Sequence, residues 1–180
     1  MKNFKISVLA TFVLLILSQM GYAQKTEKIK CKYDVNKTDE FTGKIIKTIN
    51  IPLYYGNIVI AFSKSDAKIK LAMTIKINGS KVESLKTGEE FQFKFENGEI
   101  LTLTSAKDAS PTAQAYATSY TAAIISYYNT EYKLTAADLS KLESMKVTNI
   151  KVNVAGQPYQ FAVGKSEFPK INKAAYCIQQ

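Results

Sequence analysis

The sequence contains no histidine, no arginine and no tryptophan, and only two of its 180 residues are cysteines. Without histidine the chain cannot form a Ser-His-Asp or Cys-His catalytic arrangement. Histidine ligation of zinc, copper or haem is excluded for the same reason. Two cysteines are also too few for a four-thiolate metal site. The composition therefore predicts no metal, no cofactor and no histidine-dependent enzyme.

Long apolar runs are also scarce, and the one that stands out lies near the N-terminus. Residues 6–17 are mostly apolar and follow two lysines, Lys2 and Lys5. Such a run is too short to cross a bilayer as a permanent helix, but its length and flanking charge are typical of a signal peptide. Gly21-Tyr22-Ala23 then supplies small residues at the −3 and −1 positions of a signal-peptidase site. These features predict export.

We therefore divide the chain into a cleaved signal peptide, residues 1–23, and a single globular domain, residues 24–180. The mature chain is expected to begin at Gln24, and no cysteine stands at that position to carry a lipid anchor. No later segment has the length of a membrane span. We expect a soluble protein, periplasmic or secreted, with no permanent membrane anchor.

The formal net charge of +9 comes from 24 lysines set against 15 acidic residues. A basic surface attracts anionic partners, for example an anionic glycan. Nucleic acid is not expected as a partner, because planar, bidentate phosphate recognition favours arginine. Lysines on the outward faces of strands could alternatively serve only to discourage edge-to-edge aggregation. The candidate residues for an anionic-partner surface are Lys28, Lys30, Lys32, Lys68, Lys70 and Lys76.

Period-two alternation of apolar and polar residues dominates the remaining sequence and predicts half-buried β-strands. The alternation covers residues 29–35, 69–77 and 91–95. In contrast, residues 57–62 form an almost continuous apolar run, which predicts a central strand covered on both faces.

Three turns indicate how these strands pair. Asn78-Gly79 predicts a two-residue hairpin turn, residues 96–98 predict a three-residue loop with a bulge, and residues 155–158 predict a third hairpin loop. In each case the proposed register keeps apolar side chains on one face. The expected cross-strand pairs are Ile77 with Ser80, Phe93 with Leu101, and Val152 with Phe161.

Helix signals are few and late in the chain. Thr135-Ala136-Ala137-Asp138 has the form of a capping box and predicts a short helix near residues 135–144. Pro169 predicts the first turn of a C-terminal helix near residues 169–178. Residues 119–132 favour a strand, preceded at 111–118 by a loop or one helical turn. The expected fold class is α+β, dominated by antiparallel β-strands in a meander-like or sandwich-like arrangement.

The two cysteines are expected to form a disulfide. An exported protein meets an oxidising compartment, where paired cysteines tend to be joined. Cys31 lies on the apolar face of the first predicted strand, and Cys177 lies beside the apolar face of the last helix. The alternative is two separate buried thiols, since cysteine also packs as a small apolar residue.

Four short motifs resemble a group of small exported bacterial proteins of unknown function. The resemblance implies a location in the cell envelope or outside the cell, and it implies no catalytic residues. The motifs are Cys31-Lys32-Tyr33, Asp39-Glu40-Phe41-Thr42-Gly43, Phe95-Glu96-Asn97-Gly98-Glu99-Ile100-Leu101 and Cys177-Ile178.

Two classes of function fit these observations. The favoured hypothesis is a non-enzymatic binding or interaction module of the cell envelope, whose partner is an envelope protein meeting a sheet edge or loop, or an anionic glycan. The alternative is a small hydrolase that cleaves a glycan with paired carboxylates, a chemistry that needs no histidine. Two carboxylates about 5 to 10 Å apart in a concave pocket would favour the hydrolase.

Overall fold

Two antiparallel sheets make up most of the computed structural model, which describes residues 29–117 and 122–180. Cys31–Gln180 forms one compact unit. The fold is α+β and dominated by antiparallel strands, as predicted. Its elements in chain order are β1 (Val35–Thr38), β2 (Ile45–Leu53), β3 (Ile58–Ser65), β4 (Lys68–Asn78), β5 (Glu90–Phe95), β6 (Ile100–Thr104), β7 (Thr112–Ala117), β8 (Ala122–Lys133), α1 (Ala136–Ser144), β9 (Val147–Val154), β10 (Gln157–Ala162) and α2 (Phe168–Gln179).

The larger sheet has the strand order β1-β2-β3-β4-β8-β7, and the smaller sheet has the order β10-β9-β5-β6. An isolated bridge between Ser105, just after β6, and Tyr132, near the end of β8, joins the two sheets at one corner. Strand β8 forms a hairpin with β7 on one side and pairs with β4 on the other. Strand β7 is therefore the outer strand of the larger sheet.

The inward side chains of both sheets form one core. Ile60 and Met73 are buried on the inner face of the larger sheet, and Phe93 is buried on the inner face of the smaller one. The ring of Phe91 lies 5.2 Å from the ring of Tyr132, so the sheets pack directly on each other. The alternation in the sequence therefore predicted the inward faces of β4 and β5 correctly, because side chains alternate between the two faces of a strand.

Helix α1 begins with the predicted capping box. The Thr135 hydroxyl accepts a hydrogen bond from the Asp138 amide, and the Asp138 carboxylate accepts one from the Thr135 amide at 2.8 Å. These bonds satisfy backbone groups that the helix itself leaves unpaired. Leu139 and Leu142 are buried, as their spacing predicts.

Helix α2 packs its apolar face on β2, β3 and β9 and has Pro169 in its first turn, as predicted. At its other end the Lys64 ammonium donates to the carbonyl of Gln179 at 3.1 Å, where the helix dipole favours a cation. The side-chain amide of Asn172 donates to the Leu142 carbonyl at 2.7 Å and so joins the two helices. No helix in the described ranges is long and apolar enough to cross a membrane.

The predicted disulfide is present. Cys31 and Cys177 are bonded with their Cα atoms 5.5 Å apart, and Cys177 is buried in α2. The bond fastens the segment before β1 to the last helix. Tyr33 in that segment donates its hydroxyl to the Cys177 carbonyl at 2.9 Å, and the Lys47 ammonium lies 5.1 Å from the centre of the Tyr33 ring.

Two of the three predicted registers are wrong. Asn78-Gly79 does not close a hairpin, because β4 continues its pairing with β8 and places Ile77 opposite Ser126. The Gly79 amide donates to the Ile124 carbonyl, and residues 80–84 belong to no strand. Here the turn-forming dipeptide marks only the end of β4, because β4 pairs with the distant strand β8 and not with the residues that follow the turn.

Of the other two predicted hairpins, one has the predicted register and the other is shifted. The loop at 96–98 is confirmed, with Phe93 opposite Leu101 and Gly98 at a positive φ of 88°. The last hairpin turns on Ala155-Gly156 alone, so Val152 faces Tyr159 and not Phe161. The shift is two residues and leaves every side chain on its predicted face, which is why the apolar pattern could not distinguish the two registers.

Three further expectations need correction. The described ladder of the first strand begins at Val35, and residues 29–34 lie outside it. Residues 112–117 form strand β7 and not a loop or helical turn, while the predicted strand start at 119 lies outside the described residues. β3 is central in the larger sheet, but Val59 and Ala61 are only half-buried, so one of its faces is incompletely covered.

Candidate functional site

Strand β7 is an open sheet edge. All six of its residues are exposed, and among the described strands it pairs only with β8, because it is the last strand in the larger sheet. The first part of β8 is exposed as well, and Ile124 keeps 46% of its surface accessible. Beyond the last residues of β4, the β7–β8 hairpin therefore extends as a two-stranded ribbon. Its outer backbone amides and carbonyls have no neighbouring strand in the described part of the chain.

This edge lacks the usual protection. Residues 109–130 carry no charged side chain, although the chain as a whole is 22% charged. Natural sheet edges are generally protected by lysine, proline or a bulge that prevents another strand from pairing. The outer strand β1 contains Lys37 and the outer strand β10 contains Pro158. The outer strands β6 and β7 contain neither a charge nor a proline, but two of the five residues of β6 are buried, whereas all six of β7 are exposed. We call residues 112–117 the open edge.

Three polar side chains order the outward face of the open edge. The Tyr116 hydroxyl donates to the Gln114 side-chain oxygen at 2.7 Å, so Tyr127 of β8 donates to Tyr116 in their 2.5 Å contact. The hydrogen bond with Tyr127 raises the pKa of the Tyr116 phenol above its ordinary value. These hydrogen bonds hold the ribbon in a defined conformation.

A second candidate surface is the turn between β2 and β3. Tyr54, Tyr55 and Gly56 all have positive φ values of 47°, 55° and 81°, a conformation that costs free energy for residues other than glycine. The Glu167 carboxylate fixes the turn by accepting from the Tyr54 amide at 2.9 Å, and the Tyr54 ring packs on Phe161. Tyr55 is 99% exposed.

The predicted lysine surface is only partly assembled. Lys68, Lys70 and Lys76 are exposed on the outer face of β4. Lys70 donates to the Glu131 carboxylate at 2.8 Å, and this bond is the main reason that the pKa of Glu131 lies below its ordinary value. A salt bridge from Lys107, at 3.8 Å, also reaches Glu131. Lys70 is therefore partly neutralised by a neighbour of opposite charge.

Of the other three lysines of that prediction, Lys32 is the one that belongs to the compact unit Cys31–Gln180. Lys32 is exposed before β1 and lines a separate groove with Lys170 and Lys173. Lys30 is exposed but belongs to a unit apart from Cys31–Gln180, and Lys28 lies outside the described residues. Binding of an anionic partner by these lysines stays a prediction.

Carboxylates do not converge in four open grooves lined by described residues. These grooves have volumes between 220 and 840 Å³, and each is lined by a single carboxylate: Glu83, Glu96, Asp34 or Glu131. A glycosidase needs two carboxylates on either side of the bond that it cleaves. Within residues 29–117 and 122–180, no group of three or more potential ligands is arranged to hold a metal ion.

Comparison of the chain with family models, with curated proteins and with solved structures gave no match. The site must therefore be interpreted from its own geometry. Of its features, the open edge is the one that sequence reasoning missed. The uncharged stretch at 109–130 is the sequence signal that could have indicated it. An uncharged segment indicates an open edge, however, only once the segment is known to form an outer strand and not a core strand.

Proposed function

We propose that this protein is an exported, non-enzymatic interaction module that binds a protein partner along the open edge. The observation that carries this proposal is a six-residue edge strand, exposed along its whole length and free of charge and proline. Such an edge is a ready template for another strand. A domain that did not use it would be expected to protect it by charge or proline, as in β1 and β10, or by burial, as in part of β6.

The partner would bind by strand addition. In this mode an extended segment pairs with the edge through main-chain hydrogen bonds, and alternate side chains provide specificity. Ala113, Ala115 and Ala117 leave one face of the edge free of bulky groups, so a second backbone can approach. Gln114 and Tyr116 on the other face supply polar atoms whose positions are already fixed by hydrogen bonds. The alternative, a glycan hydrolase, lacks the required carboxylate pair in these grooves.

Export is the second part of the proposal. It is supported by the leader-like residues 1–23 and by the Cys31–Cys177 disulfide, a bond that forms and persists in oxidising compartments. The mass of the protein recovered from the periplasm or medium of its native cells is expected to match a chain that starts at Gln24. Recovery of the full-length chain from the inner membrane, or of a lipid-modified N-terminus, would contradict export as proposed.

Photocrosslinking tests the binding site. A photoreactive phenylalanine derivative introduced in place of Ala115 is expected to give a discrete adduct in native cells, because the position lies in the middle of the open edge. The same substitution at Ala162 in the outer strand β10 is the matched control, since that alanine is also exposed at a sheet edge. Equal adducts at both positions, or none at Ala115, would refute the proposed site.

A further inference from the structure

We infer that the strand added to the open edge is β7 of a second copy of this chain, paired antiparallel across a two-fold axis at Ala115. This inference rests on the proposed function, because it uses the same edge and names the partner. Two-fold dimers require a self-complementary surface. The open edge meets that requirement in its length, its side chains and its charge.

The side chains match across the axis. With Ala115 facing its own copy, Gln114 lies opposite the second copy's Tyr116, and Ala113 lies opposite the second copy's Ala117. Directly opposed residues in an antiparallel pair have Cβ atoms about 4.5–5.5 Å apart. The tyrosine–glutamine hydrogen bond that already forms within β7 can therefore form between the copies, and it can form twice. Alanine opposite alanine adds no steric obstacle on the other face.

The charge distribution favours this edge over the rest of the surface. Without Lys2 and Lys5 the formal net charge falls from +9 to +7, so two copies of the mature chain repel one another in most orientations. We expect that repulsion to be weakest along the uncharged stretch at 109–130, where Lys76 of β4 is the lysine whose charge acts on Tyr116. Charges farther away are screened beyond about 8 Å at physiological ionic strength. Raising the salt concentration is therefore expected to strengthen the dimer, whereas it would weaken binding to an anionic polymer.

The contact is small, and we expect a reversible equilibrium. A six-residue strand is about 20 Å long, which is short for a permanent interface. Pairing would join two six-stranded sheets into one continuous sheet and cover part of the exposed surface of Tyr116, which is 44% accessible. The free protein is expected to be a monomer at low concentration and a dimer at high concentration.

Charge substitution at the axis tests the inference by sedimentation equilibrium of the purified, oxidised mature chain. Ala115→Lys places two lysines directly opposite each other in the dimer and is expected to weaken association by about tenfold. Ala115→Glu is expected to do the same. An equimolar mixture of the two variants is expected to associate again as a heterodimer, because opposite charges then meet. Ala162→Lys, which adds the same charge at the outer strand of the other sheet, is expected to associate like the wild type.

Three results would overturn the inference: a wild type that stays monomeric at every concentration, a dimer that Ala115→Lys leaves unchanged, or a mixture that fails to restore association. Far-ultraviolet circular dichroism of each variant establishes that it is folded, and Ala113→Lys provides a second edge variant. If the chain is monomeric but the photocrosslinked adduct at Ala115 contains a different protein, the dimer is refuted while the proposed function stands. If neither dimer nor adduct forms, both are refuted.

Discussion

Replacing Cys31 and Cys177 together by alanine is expected to lower the free energy of unfolding by about 3–5 kcal/mol. The two residues are separated by 146 positions, so the disulfide closes almost the whole domain into a loop. A loop of this size restricts the unfolded chain strongly, and its loss restores that freedom. The bond also anchors residues 31–34, which belong to no strand. Further contacts of this segment are the Tyr33 hydroxyl to the Cys177 carbonyl and two hydrogen bonds between Asp34 and β2.

Urea unfolding of the oxidised wild type and the double alanine variant measures this difference. Tyr33→Phe is the control for the anchoring contact alone, because it removes the hydroxyl that donates to the Cys177 carbonyl. Its expected cost is about 1 kcal/mol, the usual contribution of one hydrogen bond. An unchanged unfolding midpoint in the double variant would show that the disulfide contributes no net stability, and the chain-entropy argument would be wrong for this protein.

Local patterns predicted what depends on local chemistry. The Thr135–Asp138 capping box, the C-terminal helix after Pro169 and the inward faces of β4 and β5 are confirmed, since each follows from side chains a few residues apart. The disulfide was predicted from compartment and composition. The pairing at Gly98 was predicted because only one register matched apolar residues across the turn.

The wrong predictions concern strands for which a nearby and a distant segment compete as pairing partners. Asn78-Gly79 satisfies the rules for a hairpin, but β8 offers β4 a longer ladder, and nothing near residue 79 reveals it. The turn at Ala155 needs a positive φ of 52° at a residue that rarely adopts one. For the same reason the open edge could not be predicted. Whether 112–117 is central or peripheral depends on which strands pair elsewhere in the sheet.

The inner face of β8 is unusually polar for a core strand. Ser126, Thr130 and the two tyrosines at 128 and 132 all point inward and are buried. The Tyr128 hydroxyl donates to the Glu83 carbonyl at 2.9 Å. In contrast, Thr130 Oγ1 and the Tyr132 hydroxyl have no hydrogen-bond partner among the described residues. A buried polar group without a partner costs about 1–3 kcal/mol, so these two hydroxyls are expected to be destabilising.

The two tyrosines should therefore respond oppositely to the same substitution. Tyr132→Phe removes an unpaired buried hydroxyl and is expected to raise the free energy of unfolding by about 1 kcal/mol or more. Tyr128→Phe removes a paired hydroxyl and leaves the Glu83 carbonyl without its donor, so it is expected to lower the same quantity by about 1 kcal/mol. Urea unfolding at pH 7 measures both. A destabilised Tyr132→Phe variant would mean that the hydroxyl is paired in solution.

Alkaline unfolding provides an independent measurement of the same residue. Burial raises the pKa of the Tyr132 phenol above its ordinary value of 10.0, and the negative charge of Glu89 raises it further. Above pH 10 the unfolded chain loses this proton while the folded chain retains it, so the unfolded state binds fewer protons and stability falls as pH rises. Tyr132 alone contributes a slope of up to about 1.4 kcal/mol per pH unit. This stabilising contribution is complete below pH 10 and decreases above it.

Comparing Tyr132→Phe with the wild type isolates that contribution from the lysines, which titrate in the same range. The variant is expected to lose stability less steeply between pH 10 and 11.5, and the gap between the two unfolding curves should widen with pH. Parallel curves would contradict the burial of an intact phenol, because a tyrosine that ionises equally in both states gives no pH-dependent difference. If the curves diverge above pH 10 but the two proteins are equally stable at pH 7, the phenol is buried in the core. Its hydroxyl would then be hydrogen-bonded to water in the folded protein.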